Sequence, residues 1–213
     1  MSEFTLKCFV ESGNAYKTAL MLELCGADWT PVWVDFFNGE TRSDGFRAEN
    51  TMGEVPVLIH HRDGQDDLVL TQTGVILTYL SRHFGEFGPE NDQEEYEILR
   101  WILFDNHKLT ANTATARFMS LFMKKPDAPE TQFLHARALG AYKVFDQHMN
   151  GRDWAAADRP TIADLSLCGY LFWPDQINVS WDDYPNIKRW LSNIQSLEGW
   201  KRPEDILPAT PTE

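Results

Sequence analysis

The stretch best equipped for chemistry is Glu11-Ser12-Gly13-Asn14-Ala15-Tyr16-Lys17. It offers a hydroxyl and a carboxamide two residues apart in a tight turn. Before it, Thr5 to Val10 alternates as a strand does. Leu6, Cys8 and Val10 share one face; Thr5, Lys7 and Phe9 share the other. After it, Asn14 to Cys25 repeats Tyr16, Leu20 and Leu24 at every fourth residue and stops at Gly26, as a helix does. Strand, turn and helix put Ser12 and several unpaired backbone N–H groups at one helix N-terminus. That end is partially positive and favours an anion, a thiolate included. The same residues also suit a plain structural role, with Ser12 or Asn14 capping the helix.

The elements that must hold this turn follow in order. Val32, Val34 and Phe36 alternate as a second strand, and Asn38-Gly39 opens a polar loop with a short helix through Asn50. That loop carries Arg42 and Arg47. Gly53 to His60 reads as a strand with Pro56 near its start. Arg62-Asp63-Gly64 turns it, and Leu68 to Leu70 returns. Thr71-Gln72-Thr73 enters a helix through Val75, Ile76, Tyr79 and Leu80, closed near Gly85. A thioredoxin-like α/β domain over residues 1–84 fits this order.

Residues 85–92 are rich in Gly, Pro and acid and read as a linker. Beyond them, 93–213 reads as an all-helical domain. Tyr96 to Leu109 has helical spacing that runs past Phe118, and two prolines between Lys124 and Glu130 break it. Phe133 to Met149 and Pro185 to Leu197 are further helices, and Pro203, Pro208 and Pro211 mark a tail. Thr161-Ile162-Ala163-Asp164 before the apolar run Leu165 to Phe172 is a capping-box pattern, with Asp at the third position.

The net charge of −13 argues against nucleic-acid and anionic-membrane partners, and no apolar run is long enough for a membrane span. The start, Met1-Ser2-Glu3-Phe4-Thr5, lacks a secretory pattern. Cys8, Cys25 and Cys168 are widely spaced and suit a reducing, cytoplasmic setting. No metal site is expected, since His60 and His61 alternate across a strand and make a poor ligand pair.

Taken together, several pieces resemble a known family. They are Ser12-Gly13-Asn14 with Tyr16-Lys17, Gly53-Glu54-Val55-Pro56-Val57-Leu58, and Leu70-Thr71-Gln72-Thr73 with Ile76 and Tyr79-Leu80. In the second half come Asp158 to Asp164, Tyr184-Pro185-Asn186 and Gly199-Trp200-Lys201-Arg202-Pro203. In this order and spacing the chain resembles the cytosolic glutathione S-transferases, in particular the bacterial serine-type members of theta, nu or beta character.

The resemblance implies that glutathione is the co-substrate and a small electrophile its acceptor, in a homodimer serving detoxification. It makes Ser12 the donor to the glutathione sulfur and Asn14 a second donor. It makes Val55, before a cis Pro56, the partner that pairs its backbone with the cysteinyl unit. Gln72 and Thr73 then grip the γ-glutamyl end. Read without the family, Pro56 suits an edge strand and Thr73 a helix cap. Tyr16 reads as packing, and Phe9 stands near where tyrosine-type members carry a phenol. The electrophile site is expected between the domains, with Trp101, Asp105, Asn112, Arg117 and Phe118 as candidates.

The chain departs from the family at Asn50-Thr51, where Asn-Pro is common, and at Glu54, where a basic or amide residue helps hold the glycyl carboxylate. Arg42, beside Thr41, could take that carboxylate with its fork of donors. Two other functions stay open on these grounds. One is a disulfide or peroxide reductase that uses bound glutathione. The other is a non-catalytic binding protein of the same fold.

Overall fold

A computed structural model of the chain describes residues 2–211. Met1, Thr212 and Glu213, the outermost residues of the two expected domains, lie outside the described residues. The chain divides into two compact units, Met1–Glu86 with Glu198–Glu213, and Phe87–Leu197.

The first unit is thioredoxin-like. It runs β1 (Phe4–Cys8), α1 (Gly13–Leu24), β2 (Trp29–Trp33), α2 (Asp44–Glu49), β3 (Val57–His60), β4 (Leu68–Thr71) and α3 (Thr73–Phe84). The sheet order is β2-β1-β3-β4. β1 and β2 are parallel, which requires the crossover that α1 supplies, and the other pairs are antiparallel. Leu6 lies opposite Pro31 on one side and Leu58 on the other. β2 is an edge strand, where a proline costs no ladder bond. Phe4, Leu6 and Cys8 are buried, while Thr5 and Lys7 are half-buried, so the predicted alternation sets the core face.

Three strands end or start short of the sequence pattern, and β2 is one of them: it stops at Trp33, before Val34 and Phe36. β1 stops at Cys8, before Val10, because the Ser12 N–H donates to the Phe9 carbonyl at 3.1 Å and closes the turn. The Val10 N–H donates instead to Pro208. β3 starts at Val57 rather than Gly53, since Gly53 has φ +64°, outside the extended region of a strand.

The second unit is helical: α4 (Asp92–Phe104), α5 (Thr110–Arg117), α6 (Pro129–His148), α7 (Ile162–Cys168) and α8 (Pro185–Gln195). Wide π-helical turns at Asp105–Leu109 and Phe118–Phe122 keep the run from α4 continuous past Phe118, as its spacing predicts. Ala138, Tyr142 and Phe145 of α6 are buried, and the Phe145 ring meets Trp190 of α8 edge-on at 4.9 Å. Among the described residues no helix is long and apolar enough to cross a membrane.

The last segment departs from the expected domain boundary. It packs with the first unit, not the helical one. The Tyr16 hydroxyl donates to the Lys201 carbonyl at 2.8 Å, and Lys201 Nζ lies 2.6 Å from a Glu23 carboxylate oxygen. The proline-marked tail also contains a short helix, α9 (Pro203–Ile206), that contacts α1. Contacts 185 residues apart in sequence leave no local periodicity to read.

Candidate active site

Ser12 is the N-cap of α1. Its backbone is extended and its Oγ accepts a hydrogen bond from the Ala15 N–H at 3.1 Å. The side chain is buried, and among the described residues the hydroxyl proton has no acceptor. Capping and chemistry therefore do not compete: one lone pair holds the helix while the O–H can donate elsewhere. Two residues on, the Asn14 side-chain oxygen is shielded and has no hydrogen-bond partner among the described residues. A shielded amide atom without a partner carries a desolvation cost of about 1–3 kcal/mol.

The first turn of α3 comes up against this point. Thr73 Oγ1 donates to the Asn14 carbonyl at 3.4 Å. α3 has no side-chain cap, so its first N–H groups have no partner within the helix. Two positive helix ends thus meet, which suits an anionic ligand. Gln72 precedes Thr73 with φ +67°, a conformation that costs a residue with a side chain roughly 1–3 kcal/mol. Its carbonyl accepts from the N–H groups of Val75 and Ile76 at 2.9 and 3.0 Å, which hold the conformation. Its amide donates to Met52 Sδ at 2.9 Å and to the Glu54 carboxylate at 3.2 Å. The loop before β3 is thereby drawn to the same place. Among the described residues, Val55 makes no backbone hydrogen bond, so its N–H and C=O remain for an extended ligand.

The loop is braced from inside by Asn50, which donates to the Glu54 carbonyl at 2.7 Å and accepts from the Met52 N–H at 3.1 Å. Gly53 has no substitute: a Cβ there would lie 2.6 Å from the Thr41 carbonyl oxygen. The same point is 3.5 Å from Arg47 Nε. Arg42 is exposed at the end of the one-turn helix Glu40–Arg42. Neither arginine forms an ion pair among the described residues.

Phe9 carries no hydroxyl and is stacked on Phe36 at 4.9 Å. Tyr16 is fully buried and serves as packing and tether. No thiol of the first unit competes as nucleophile, because burial pushes Cys8 up to about 12 and Cys25 up to about 11.

The candidates in the helical unit have other work there. Asp105 is fully buried and accepts from Thr110 at 2.6 Å and Ser166 at 2.7 Å. Arg117 is buried over the Trp173 ring at 4.8 Å and donates to Gln176. Asn112 accepts from Arg137, Trp101 is packed on His148, and Phe118 is exposed. A cavity of about 390 Å³ lies within this unit, lined by Thr113, Arg117, His135, Tyr142 and Gln176 among others.

The family models for the glutathione S-transferase N-terminal and C-terminal domains match residues 2–82 and 109–198. A crystal structure of a possible glutathione S-transferase from Rhodopseudomonas palustris is 30% identical. It covers 95% of this chain and 98% of its own, with a TM-score of 0.86.

The chain belongs to the glutathione S-transferase family. A glutathione transferase homologue from Lodderomyces elongisporus, crystallised with two glutathione molecules per subunit, shares the fold. Its TM-score is 0.87 at 23% identity, covering 98% of this chain and all of its own. The disulfide-bond oxidoreductase YfcG of Escherichia coli is 24% identical over 201 residues, 88% of each chain.

For a chain of this family, the structure brings Ser12, Asn14, Thr73, Gln72 and Glu54 into one connected set, with Val55–Pro56 on the same loop. Sequence reasoning missed Met52 and the placement of Arg47. A second arginine five residues after Arg42 in the same loop was the available signal.

Proposed function

We propose that this protein is a serine-type glutathione transferase that joins the glutathione thiolate to a small electrophile. The observation that carries the reading is the Ser12 hydroxyl, whose oxygen is anchored by Ala15 while its proton is uncommitted among the described residues. A fixed donor at a positive helix end favours the thiolate over the thiol. The sulfur lone pair then forms the bond to the electrophile as the leaving group departs. Asn14 serves as a second donor. Val55 pairs with the cysteinyl unit, Gln72 and Thr73 take the γ-glutamyl end, and Arg42 with Arg47 faces the glycyl carboxylate. The glutathione-bound homologue supports the ligand. A homodimer is supported by exposed apolar side chains at Val69 and Val75 and along α4 at Tyr96, Leu99 and Leu103. The free cysteines support a reducing cytoplasm.

Calorimetry tests the reading. Glutathione binding by the wild type and its loss in Gln72→Ala support it. No binding at millimolar glutathione sinks it.

A second reading is glutathione-dependent disulfide reduction, in which two glutathione thiols become one disulfide as a substrate disulfide becomes two thiols. It is favoured by the Asn14 side-chain oxygen, which has no partner among the described residues, and by the likeness to the oxidoreductase. Asn14→Ala that loses disulfide reduction and keeps conjugation would select it. A third, ligand binding without catalysis, draws on Glu54, whose carboxylate occupies the Gln72 amide. Bound glutathione with no turnover on electrophiles or disulfides would select it.

A further inference from the structure

The expectation of no metal site rests on His60 and His61 alone, and the alternation does separate them. His61 Nδ1 lies 3.0 Å from Asp67 Oδ2, and its Nε2 lies 2.9 Å from Thr5 Oγ1. His60 points to the other face, where the fold adds two residues from distant elements. Glu3 precedes β1, and His83 lies in the last turn of α3.

We propose that Glu3, His60 and His83 form a binding site for a divalent cation of the zinc class. One Glu3 oxygen lies 3.4 Å from His60 Nε2 and 2.9 Å from His83 Nε2. All three ligand atoms fall within 4.8 Å of one another. Zinc bonds to imidazole and carboxylate of about 2.0–2.2 Å require tetrahedral ligand separations of about 3.3–3.5 Å. The present spacing is therefore within a side-chain adjustment of closure. Two imidazoles and a carboxylate also match zinc in softness, and leave a fourth position for solvent.

The surroundings orient the ligands. His60 Nδ1 is 2.6 Å from the Tyr79 hydroxyl, a partner on the far nitrogen that fixes the ring and leaves Nε2 toward Glu3. Phe4 packs on the His60 ring at 4.5 Å and edge-on to His83 at 5.4 Å. Tyr79 stacks parallel to His83 at 6.1 Å. His60 is buried and His83 exposed, so the set is anchored inside and open to an entering ion. The neighbouring cation, Arg62, donates its guanidinium to the Asp66 carbonyl. A bound ion would clamp the start of β1, the end of β3 and the end of α3, and would stabilise the fold through linkage.

The test is calorimetric titration of Zn²⁺ into the metal-free full chain, with the thermal midpoint read in parallel. The wild type is expected to bind one ion and unfold at a higher temperature. His83→Gln and Glu3→Gln are expected to bind at least about tenfold more weakly, and His61→Gln to bind as the wild type. His83 and Glu3 are not fully buried, so these variants keep the core intact. Co²⁺ should give a tetrahedral visible spectrum that His83→Gln abolishes. Failure of the wild type to bind Zn²⁺, or binding unchanged in both ligand variants, would overturn the site. Binding lost in His61→Gln alone would overturn it in favour of His61 and Asp67.

Discussion

The helices α1 and α7 each begin on a hydroxyl, and they use it differently. At the start of α7, Thr161 is fully buried and every hydrogen-bonding group around it is engaged. Its Oγ1 accepts from the Ala163 N–H and donates to Asp164 Oδ2 at 3.2 Å. Asp164 accepts from the Thr161 N–H at 2.9 Å, and from Ala155 N–H and Trp190 Nε1 at 2.8 Å each. At the start of α1, Ser12 accepts one bond, and its proton and the Asn14 oxygen have no partner among the described residues. A closed network stabilises the fold and offers nothing to a ligand. An open one costs stability and retains the donor that a bound thiolate would use. The difference separates a folding device from a reactive site where the sequence shows two similar caps.

The largest effect should come from the closed cap. Burial raises the Asp164 pKa, while hydrogen bonds from Trp190, Ala155 and Thr161 oppose that rise. Asp164→Ala removes the acceptor of four buried donors, and a loss of about 3 kcal/mol or more in urea unfolding is expected. A loss under about 1 kcal/mol would mean the network is not what distinguishes the two caps.

Ser12→Ala should lose less stability, about 0.5–2 kcal/mol for the cap, but lower kcat/KM about tenfold to hundredfold. The ultraviolet thiolate band of bound glutathione should shift to higher pH. Ser12→Thr, which keeps the hydroxyl, should restore part of both. Equal activity in Ser12→Ala and wild type would reduce Ser12 to a second structural cap.

A smaller effect sharpens the electrostatics of the open site. Glu54→Gln removes a carboxylate beside Gln72 and should tighten glutathione about twofold to fivefold, within the range of exposed charge pairs. Calorimetry on that variant reads it directly, and weaker binding would show that Glu54 assists the ligand.

The smallest concerns pH and the helical unit. The Glu90 N–H, then Arg159, holds the Glu94 carboxyl below its ordinary range. A depressed folded pKa means the unfolded chain binds the proton more tightly. The contribution is therefore present above the ordinary glutamate range and lost as pH falls through the folded value. Glu94→Gln should flatten that part of the acid limb in a stability–pH curve and change little at neutral pH.

Local features were legible because local rules fix them. The Ser12-Gly13-Asn14 turn, the Gly26 and Gly85 helix stops and the Thr161–Asp164 box all depend on neighbours a few residues away. The strand face of Phe4, Leu6 and Cys8 follows from alternation alone. What could not be read lies at long separation or in the backbone angle. Gln72 sits at positive φ although nothing in its side chain asks for it. Met52 and Glu54 meet Gln72 only because β3 and β4 pair in register, with Val57 opposite Thr71. Gly53 is required by the Thr41 carbonyl, twelve residues away.

The sequence by itself determined which residues could donate, accept and carry charge, which segments could be strand or helix, and the family the chain resembles. Only the tertiary structure decided how each was used. It left Ser12 with a spare proton and Thr161 with none. It returned 198–211 to α1 through Tyr16, and it set Glu3 and His83 beside His60. The reason is physical: propensity and periodicity act over one or two turns. Hydrogen-bond saturation and ligand geometry depend on which distant groups the packing of the core brings within about 3 Å.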